Sequence, residues 1–299
     1  MWLAVTAGVV AAGQSRVNAS LGERIGSSLA ASLISFGSGL LLVTALVLAV
    51  PAMRRSLLGL RSWDLPGWQY FGGLGGAFFV LVAAFGVPQL GVALLTVALV
   101  AGQTAGGLAV DWSSLSLSGR RRVTGPRLAG AVLGVLAVTV AGFDRLGDRT
   151  ALLPLFLAVL AGAGLSVQAG INARLSRAAG QPVAATVVNF VVGTVALLLV
   201  AVVVAAFGGL QLGHPPPDWW LYLGGLCGIG FVVAAMVCVP VLGVLRMGLA
   251  SVVGQLCGAV VLDALVPGGP PVSIAVIAGA ALTVVAVWVT GMRRPTAPG

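Results

Sequence analysis

The chain has 299 residues, of which 59% are hydrophobic and only 8% charged, and its mean hydropathy is +1.10. Soluble domains carry about 25% charged residues, so this composition excludes an ordinary soluble enzyme or binding module. The net charge is +9 and all 16 basic residues are Arg; in an integral membrane protein such an excess belongs to cytoplasmic loops, so no nucleic-acid partner is expected.

Apolar stretches of about 20 residues fit membrane helices, whereas barrel strands would alternate at every second residue. The expected fold class is all-α integral membrane, set in the lipid bilayer. Ten transmembrane helices are predicted near 2–20, 28–50, 67–87, 90–110, 126–143, 152–174, 182–207, 219–240, 244–265 and 271–292. The first lacks the basic start of a signal peptide and is followed by equally apolar segments, so it reads as a membrane helix. The second ends at Pro51, before Arg54 and Arg55. The Val87-Pro88 and Val239-Pro240 junctions predict tight hairpins. The GRRR run at 119–122, the DRLGDR loop at 144–149 and HPPP at 214–217 mark other breaks. His214 reads as a solvated loop residue. Cys227, Cys238 and Cys257 match no metal or redox spacing and read as small core residues; neither a metal nor a cofactor is expected. Trp63, Trp68, Trp112, Trp219 and Trp220 fall near span ends, as interface anchors do.

Ten spans place both termini on one side. That side carries 12 arginines, and the other only 4, namely Arg16, Arg24, Arg145 and Arg149 (12 + 4 = 16). An excess of positive charge marks the cytoplasmic side, so both termini are expected there.

The chain repeats itself. Gln14, Asn18, Leu21, Gly26, Phe36 and Gly39 match Gln168, Asn172, Leu175, Gly180, Phe190 and Gly193 at a separation of 154 (168 − 14). Trp68, Gly72, Pro88, Gly91, Gly102, Gln103, Gly106 and Asp111 match Trp220, Gly224, Pro240, Gly243, Gly254, Gln255, Gly258 and Asp263 at 152 (255 − 103). The expected division is a first five-span unit over 1–145, a second over 151–292 and a cytoplasmic tail over 293–299. Five is odd, so the second unit enters the membrane from the opposite side. The result is an inverted repeat, an architecture suited to alternating access.

The segments VPQLGVALLTVALVAGQTAGGLAVD and VPVLGVLRMGLASVVGQLCGAVVLD resemble the drug/metabolite transporter superfamily, and within it the YdcZ-like branch of bacterial inner-membrane exporters. QSRVNASL with LISFGSG, and QAGINARL with VVNFVVG, are similar to that branch as well. The resemblance covers nearly the whole chain. It implies ten helices, a bacterial plasma (inner) membrane location and a central substrate cavity.

The candidate site residues are the polar ones in apolar spans. An unpaired amide in hydrocarbon costs a few kcal/mol. Gln103 and Gln255 sit mid-span at equivalent places; they either line a central cavity or bind neighbouring helices, beside the small-residue faces of Gly102, Gly106, Gly254 and Gly258. Gln14 with Asn18, and Gln168 with Asn172, are i,i+4 pairs that share a helix face. They line a cavity mouth on each side or cap helix ends. Arg16 points away from that face and is expected to snorkel to the outer interface. Ser35 and Asn189 are equivalent and bind substrate or hold helices together. Asp111 and Asp263 end their spans, for coupling or for helix-end hydrogen bonding. Glu23 is expected to pair with Arg24 or to be solvated. Arg246 breaks the repeat, because its counterpart is Leu94 (246 − 152); it is a cytoplasmic anchor or a contact for an anionic substrate group.

No carboxylate lies near a span centre, and the lining is amides and hydroxyls. That suits small uncharged or zwitterionic solutes. The reading is a secondary transporter, an exporter of a small polar metabolite, acting as a monomer or homodimer. A passive channel, or a non-transport membrane subunit such as a lipid-flippase accessory, remains an alternative. Neither HExxH nor a Ser/His arrangement occurs within the spans, so no enzyme is expected.

Overall fold

The computed structural model describes residues 1–58, 65–113, 115, 125–143, 149–180, 182–209, 213–265 and 272–291. Those residues form helices and turns. α1 (Trp2–Ile25) closes at Gly26, whose φ of 76° is a left-handed conformation that glycine adopts without a Cβ clash. Ser27 then caps α2 (Ser28–Ala49), its hydroxyl accepting from the Ala30 N–H at 3.2 Å. Pro51, where the second span is expected to end, opens a short helix, α3 (Pro51–Leu58). A 3₁₀ turn (Gly67–Gly72) leads into α4 (Gly73–Trp112). α5 (Gly125–Ala141), α6 (Arg149–Ala179) and α7 (Pro182–Ala206) follow. A second 3₁₀ turn (Trp219–Tyr222) precedes α8 (Gly224–Leu265), and α9 (Ile274–Gly291) ends the described chain.

Among the described residues four segments are long and apolar enough to cross a bilayer: Ser28–Ala49, Gly67–Val110, Thr150–Ala179 and Val183–Ala206. Shorter apolar helices cover Leu128–Ala141, Ala250–Leu265 and Ile274–Val289. At 44 residues, Gly67–Val110 is twice the length that one crossing needs. It folds back, and α6 serves as the ruler. Gly86 lies 3.7 Å from Pro154 and Gly75 lies 3.1 Å from Gln168, measured from where a Cβ would stand. Gly102, in contrast, abuts Val159, Gly106 abuts Ala163, and Gly170 lies 3.1 Å from Val110. The first arm of α4 therefore runs against α6 and the second runs with it.

The turn is at Gly91 rather than at the predicted Val87-Pro88. Gly91 has φ 80° and ψ 163°, a region essentially reserved for glycine, while the helix continues through Pro88. α8 reverses against α1 in the same way. Gly224 and Gly228 meet Asn18 and Gln14, whereas Gly254 and Gly258 meet Val5 and Val9. The reversal falls between Cys238 and Ala250, both of which pack on the Ala4 and Ala7 end of α1. The Pro240 side chain, at the second expected junction, is outside the described residues, as are Trp63, the arginine run at 120–122 and the tail.

The two largest interfaces, α4 with α6 and α1 with α8, are the same interface made twice. Gly102 meets the Val159 carbonyl, and Gly254 meets the Val5 carbonyl (254 − 102 = 152; 159 − 5 = 154). Gly162 meets the Leu99 carbonyl as Gly8 meets that of Ser251. Contacts of this kind bring two backbones together with no side chain between them.

At one end of the molecule Arg24 pairs with Asp218, not with Glu23, which is exposed. Arg24 also lies 5.8 Å over the Trp220 ring, and the Gly213 N–H donates to the Ile25 carbonyl at 2.8 Å. Of the cysteines, Cys238 is buried as expected. Cys257 is exposed instead, because Gly254 and Gly258 take the face of α8 that turns to α1.

A Cβ at Gly102 would run into the Val159 carbonyl, whereas one at Gly107 meets nothing within 4 Å. Gly102→Ala is expected to destabilise the protein by ~1–3 kcal/mol through overpacking. Gly107→Ala is expected to be neutral or stabilising by up to about 1 kcal/mol. Thermal unfolding in detergent separates the two; equal effects would contradict the backbone-contact account.

Candidate functional site

Two partly buried polar clusters stand at equivalent places, each made by one copy against the other. In the first, Gln14 and Asn18 of α1 and Ser35 of α2 face the glycine-bearing start of α8. Asn18 is 1% exposed and neither of its amide atoms has a hydrogen-bond partner. It lies against Gly224, where any Cβ would collide with its Oδ1 and stand 2.7 Å from the Ser35 hydroxyl. Gln14 follows at Gly228, with Nε2 3.2 Å from the Cβ position.

In the second cluster Gln168 of α6 and Asn189 of α7 face the start of α4, and Asn172 of α6 lies beside Asn189. Asn189 Nδ2 donates to Asn172 Oδ1 at 2.7 Å. Asn189 Oδ1 and Gln168 Oε1 are buried without partners. Gly72 stands 3.3 Å from Asn189 Oδ1, and Gly76 stands 3.2 Å from Gln168 Nε2. The clusters therefore differ at one step. Asn189 gives Asn172 a partner, while the shorter Ser35 leaves Asn18 without one.

Between the clusters lies an aromatic pair that the sequence reading used only to align the repeat. The Phe36 and Phe190 rings are 5.4 Å apart and tilted by 55°. Each covers a glycine of the opposite copy, Phe36 on Gly193 and Phe190 on Gly39. Phe36 also reaches Gly76 at 3.4 Å, beside Gln168, and Phe190 reaches Gly228 at 3.7 Å, beside Gln14. Both amide clusters thus abut the aromatic pair. The signal for it was in the sequence, because Phe36 adjoins Ser35 and Phe190 adjoins Asn189.

The structure does not bring Gln103 and Gln255 into these clusters. What it records there is backbone packing. The Ser166 hydroxyl donates to the Gln103 carbonyl at 2.7 Å, and Gly162 lies 2.9 Å from the Gln103 nitrogen. Gln255 takes the equivalent place against Gly8.

Asp263 makes a contact across the two copies. Its Oδ1 accepts from the Val92 N–H at 2.9 Å and its Oδ2 from the Ala93 N–H at 2.7 Å. These are free donors of the second arm of α4, which begins just after Gly91. The carboxylate thus caps that arm from the end of α8, and a Cβ at Gly91 would stand 2.7 Å from Oδ2. Arg16 is within electrostatic reach of this carboxylate, and its Nε is buried without a partner. The side chains of Asp111 and Arg246 lie outside the described residues.

One further residue, Gln69, was missed. It is 0% exposed, and both its amide atoms lack partners. It sits in the 3₁₀ turn before α4, and its counterpart in the second copy is Leu221 (69 + 152), so neither the repeat nor a span-centre search finds it.

Long apolar helices, buried amides and two interlocked copies of one unit define a multi-pass helical membrane protein. The chain belongs to the family described as "Putative inner membrane exporter, YdcZ", whose model matches residues 1–140 and again residues 153–289. It is accordingly an inner-membrane protein of the drug/metabolite transporter type, built from two repeats. A comparison with curated proteins gave no match.

Asp263→Ala is expected to cost about 0.5–2 kcal/mol, the range for a lost helix cap. Asp263→Asn, which keeps one acceptor oxygen, should cost less. Thermal unfolding in detergent checks both; a neutral Asp263→Ala would contradict the cap.

Proposed function

We propose that the chain is a secondary transporter that exports a small polar metabolite. It works by alternating access around a central region between two inverted five-span repeats, with both termini in the cytoplasm. The observation that carries this reading is the placement of the amides. Each copy supplies one partly buried polar cluster, each cluster faces a glycine arm of the other copy, and the two abut the Phe36–Phe190 pair. With both termini cytoplasmic, Gln14 and Asn18 lie in the periplasmic half and Gln168 and Asn172 in the cytoplasmic half. Exchanging the conformations of the two copies then exposes one cluster at a time. The solute bonds to Gln14, Asn18 and Ser35 on one side, and to Gln168, Asn172 and Asn189 on the other. Phe36 and Phe190 separate the two. Gln103 and Gln255 are second-rank candidates here, because the contacts recorded for them are backbone ones.

The test is counterflow in proteoliposomes, using a solute chosen by ligand-dependent stabilisation of the purified protein. The wild type should show saturable flux accelerated by solute on the far side. Gln14→Ala and Gln168→Ala should each raise KM about 3- to 10-fold, the worth of one hydrogen bond to a ligand. Non-saturable flux would indicate a channel, and no flux with any stabilising solute would overturn the transport reading.

A further inference from the structure

Gln69 belongs to a row of residues. Gly72 follows it by three residues, and Gly75 and Gly76 by six and seven, so all four lie along one face of the 3₁₀ turn and the start of α4. That face looks into the crevice between α6 and α7. Gly72 meets Ile171 and Asn189, and Gly75 and Gly76 meet Gln168. From the end of the molecule inward the order is Gln69, then Asn172 with Asn189, then Gln168, then the Phe36 ring. The matching row in the other copy is Leu221, Asn18 with Ser35, Gln14 and the Phe190 ring. The two rows differ most at their outermost position, where both residues are 0% exposed but one is an amide and the other a leucine.

The Leu221 site is closed by Leu21, Ile25, Ala30 and Ala31. Their counterparts at +154 are Leu175, Ala179, Ala184 and Ala185, which belong to an apolar cluster with Ile171 and Val188. A buried amide without a partner is unfavourable, so a leucine at 69 would suit this conformation better. The buried atoms without a partner along the row are Gln69 Oε1 and Nε2, Asn189 Oδ1 and Gln168 Oε1. Three are acceptors, one is a donor, and none is charged. Such a row matches a solute rich in hydroxyl or amine donors.

Resting on the transport reading above, we propose that Gln69 is a solute-contacting residue that makes its end of the molecule the loading end, for a solute rich in O–H or N–H donors. That end is cytoplasmic in the orientation already proposed, as export requires. The Leu221 end has no equivalent amide and releases.

The experiment uses the full-length protein in detergent and three probes: mannitol for clustered O–H donors, ethanolamine for N–H donors, and acetate as an acceptor. Unfolding temperature is followed against probe concentration. Mannitol or ethanolamine is expected to stabilise the wild type saturably, and which of the two does so identifies the donor; acetate is expected to have no effect. Gln69→Leu should unfold at a higher temperature than the wild type without probe, yet need at least fivefold more of the effective probe for half-saturation. Gain of stability with loss of affinity is an outcome that a purely structural glutamine would not give. If Gln69→Leu does not fold, Gln69→Asn decides by the same half-saturation, because it draws the amide back by one methylene. Half-saturation within twofold of wild type, stabilisation by acetate equal to that by the donors, or no saturable effect of either donor would each overturn the proposal. Wild-type counterflow keeps the two readings apart. If flux is present and Gln69→Leu leaves it unchanged, this inference fails while transport stands; if flux is absent for every solute, transport fails.

Discussion

The structure depends on direct backbone contact between the two copies. Gly102 and Gly162 let α4 and α6 touch, and Gly254 and Gly8 do the same for α8 and α1. Lipid is as apolar as leucine, so helices in a membrane gain little from burying oil against oil; close packing and polar contacts must hold them. A glycine crossing supplies the first of these, and it fixes the distance between helices to the thickness of the backbone. Everything near the crossings inherits that register. Once Gly102 sits on Val159 and Gly106 on Ala163, the start of α4 can only meet α6 near Gln168.

That register explains why the amides lie where they do. Gln168 and Asn189 are pressed on glycines, and Asn18 on Gly224, where no side chain could be accommodated. Several of their polar atoms have no partner in this arrangement. Each such atom costs about 1–3 kcal/mol, so this conformation carries a penalty that another conformation, or a bound solute, can relieve. Asp263 works the other way. It satisfies two free N–H groups beyond Gly91 and ties the end of α8 to the turn of α4.

Much of this was legible in the sequence, because separations of 154 and 152 preserve helix faces as well as residue types. Gln14 with Asn18, and Gln168 with Asn172, share faces by i,i+4 geometry alone, and the structure places Gln14 and Asn18 against the start of α8 and Gln168 against that of α4. Other features were hidden for identifiable reasons. Pro88 looked like the turn, but only glycine tolerates the backbone angles that reverse the chain, so the reversal waits for Gly91. Of the two places open to Glu23, beside Arg24 or in solvent, it takes the second, because Asp218, 194 residues away, is the group the fold brings to Arg24. Gln69 gave no signal, since it lies outside the span centres and its counterpart is apolar. Gln103 and Gln255 gave a strong signal, conserved in place between the copies, but the contacts recorded for them are made by the backbone.

Alternating access requires that the two clusters belong to one pathway reached from opposite sides of the membrane. Gln14→Cys and Gln168→Cys, each in a background lacking Cys227, Cys238 and Cys257, can be labelled with a membrane-impermeant thiol reagent in right-side-out and inside-out vesicles. Gln14→Cys is expected to react from the periplasmic side and Gln168→Cys from the cytoplasmic side. Labelling of both from the same side, or of neither from any side, would contradict it.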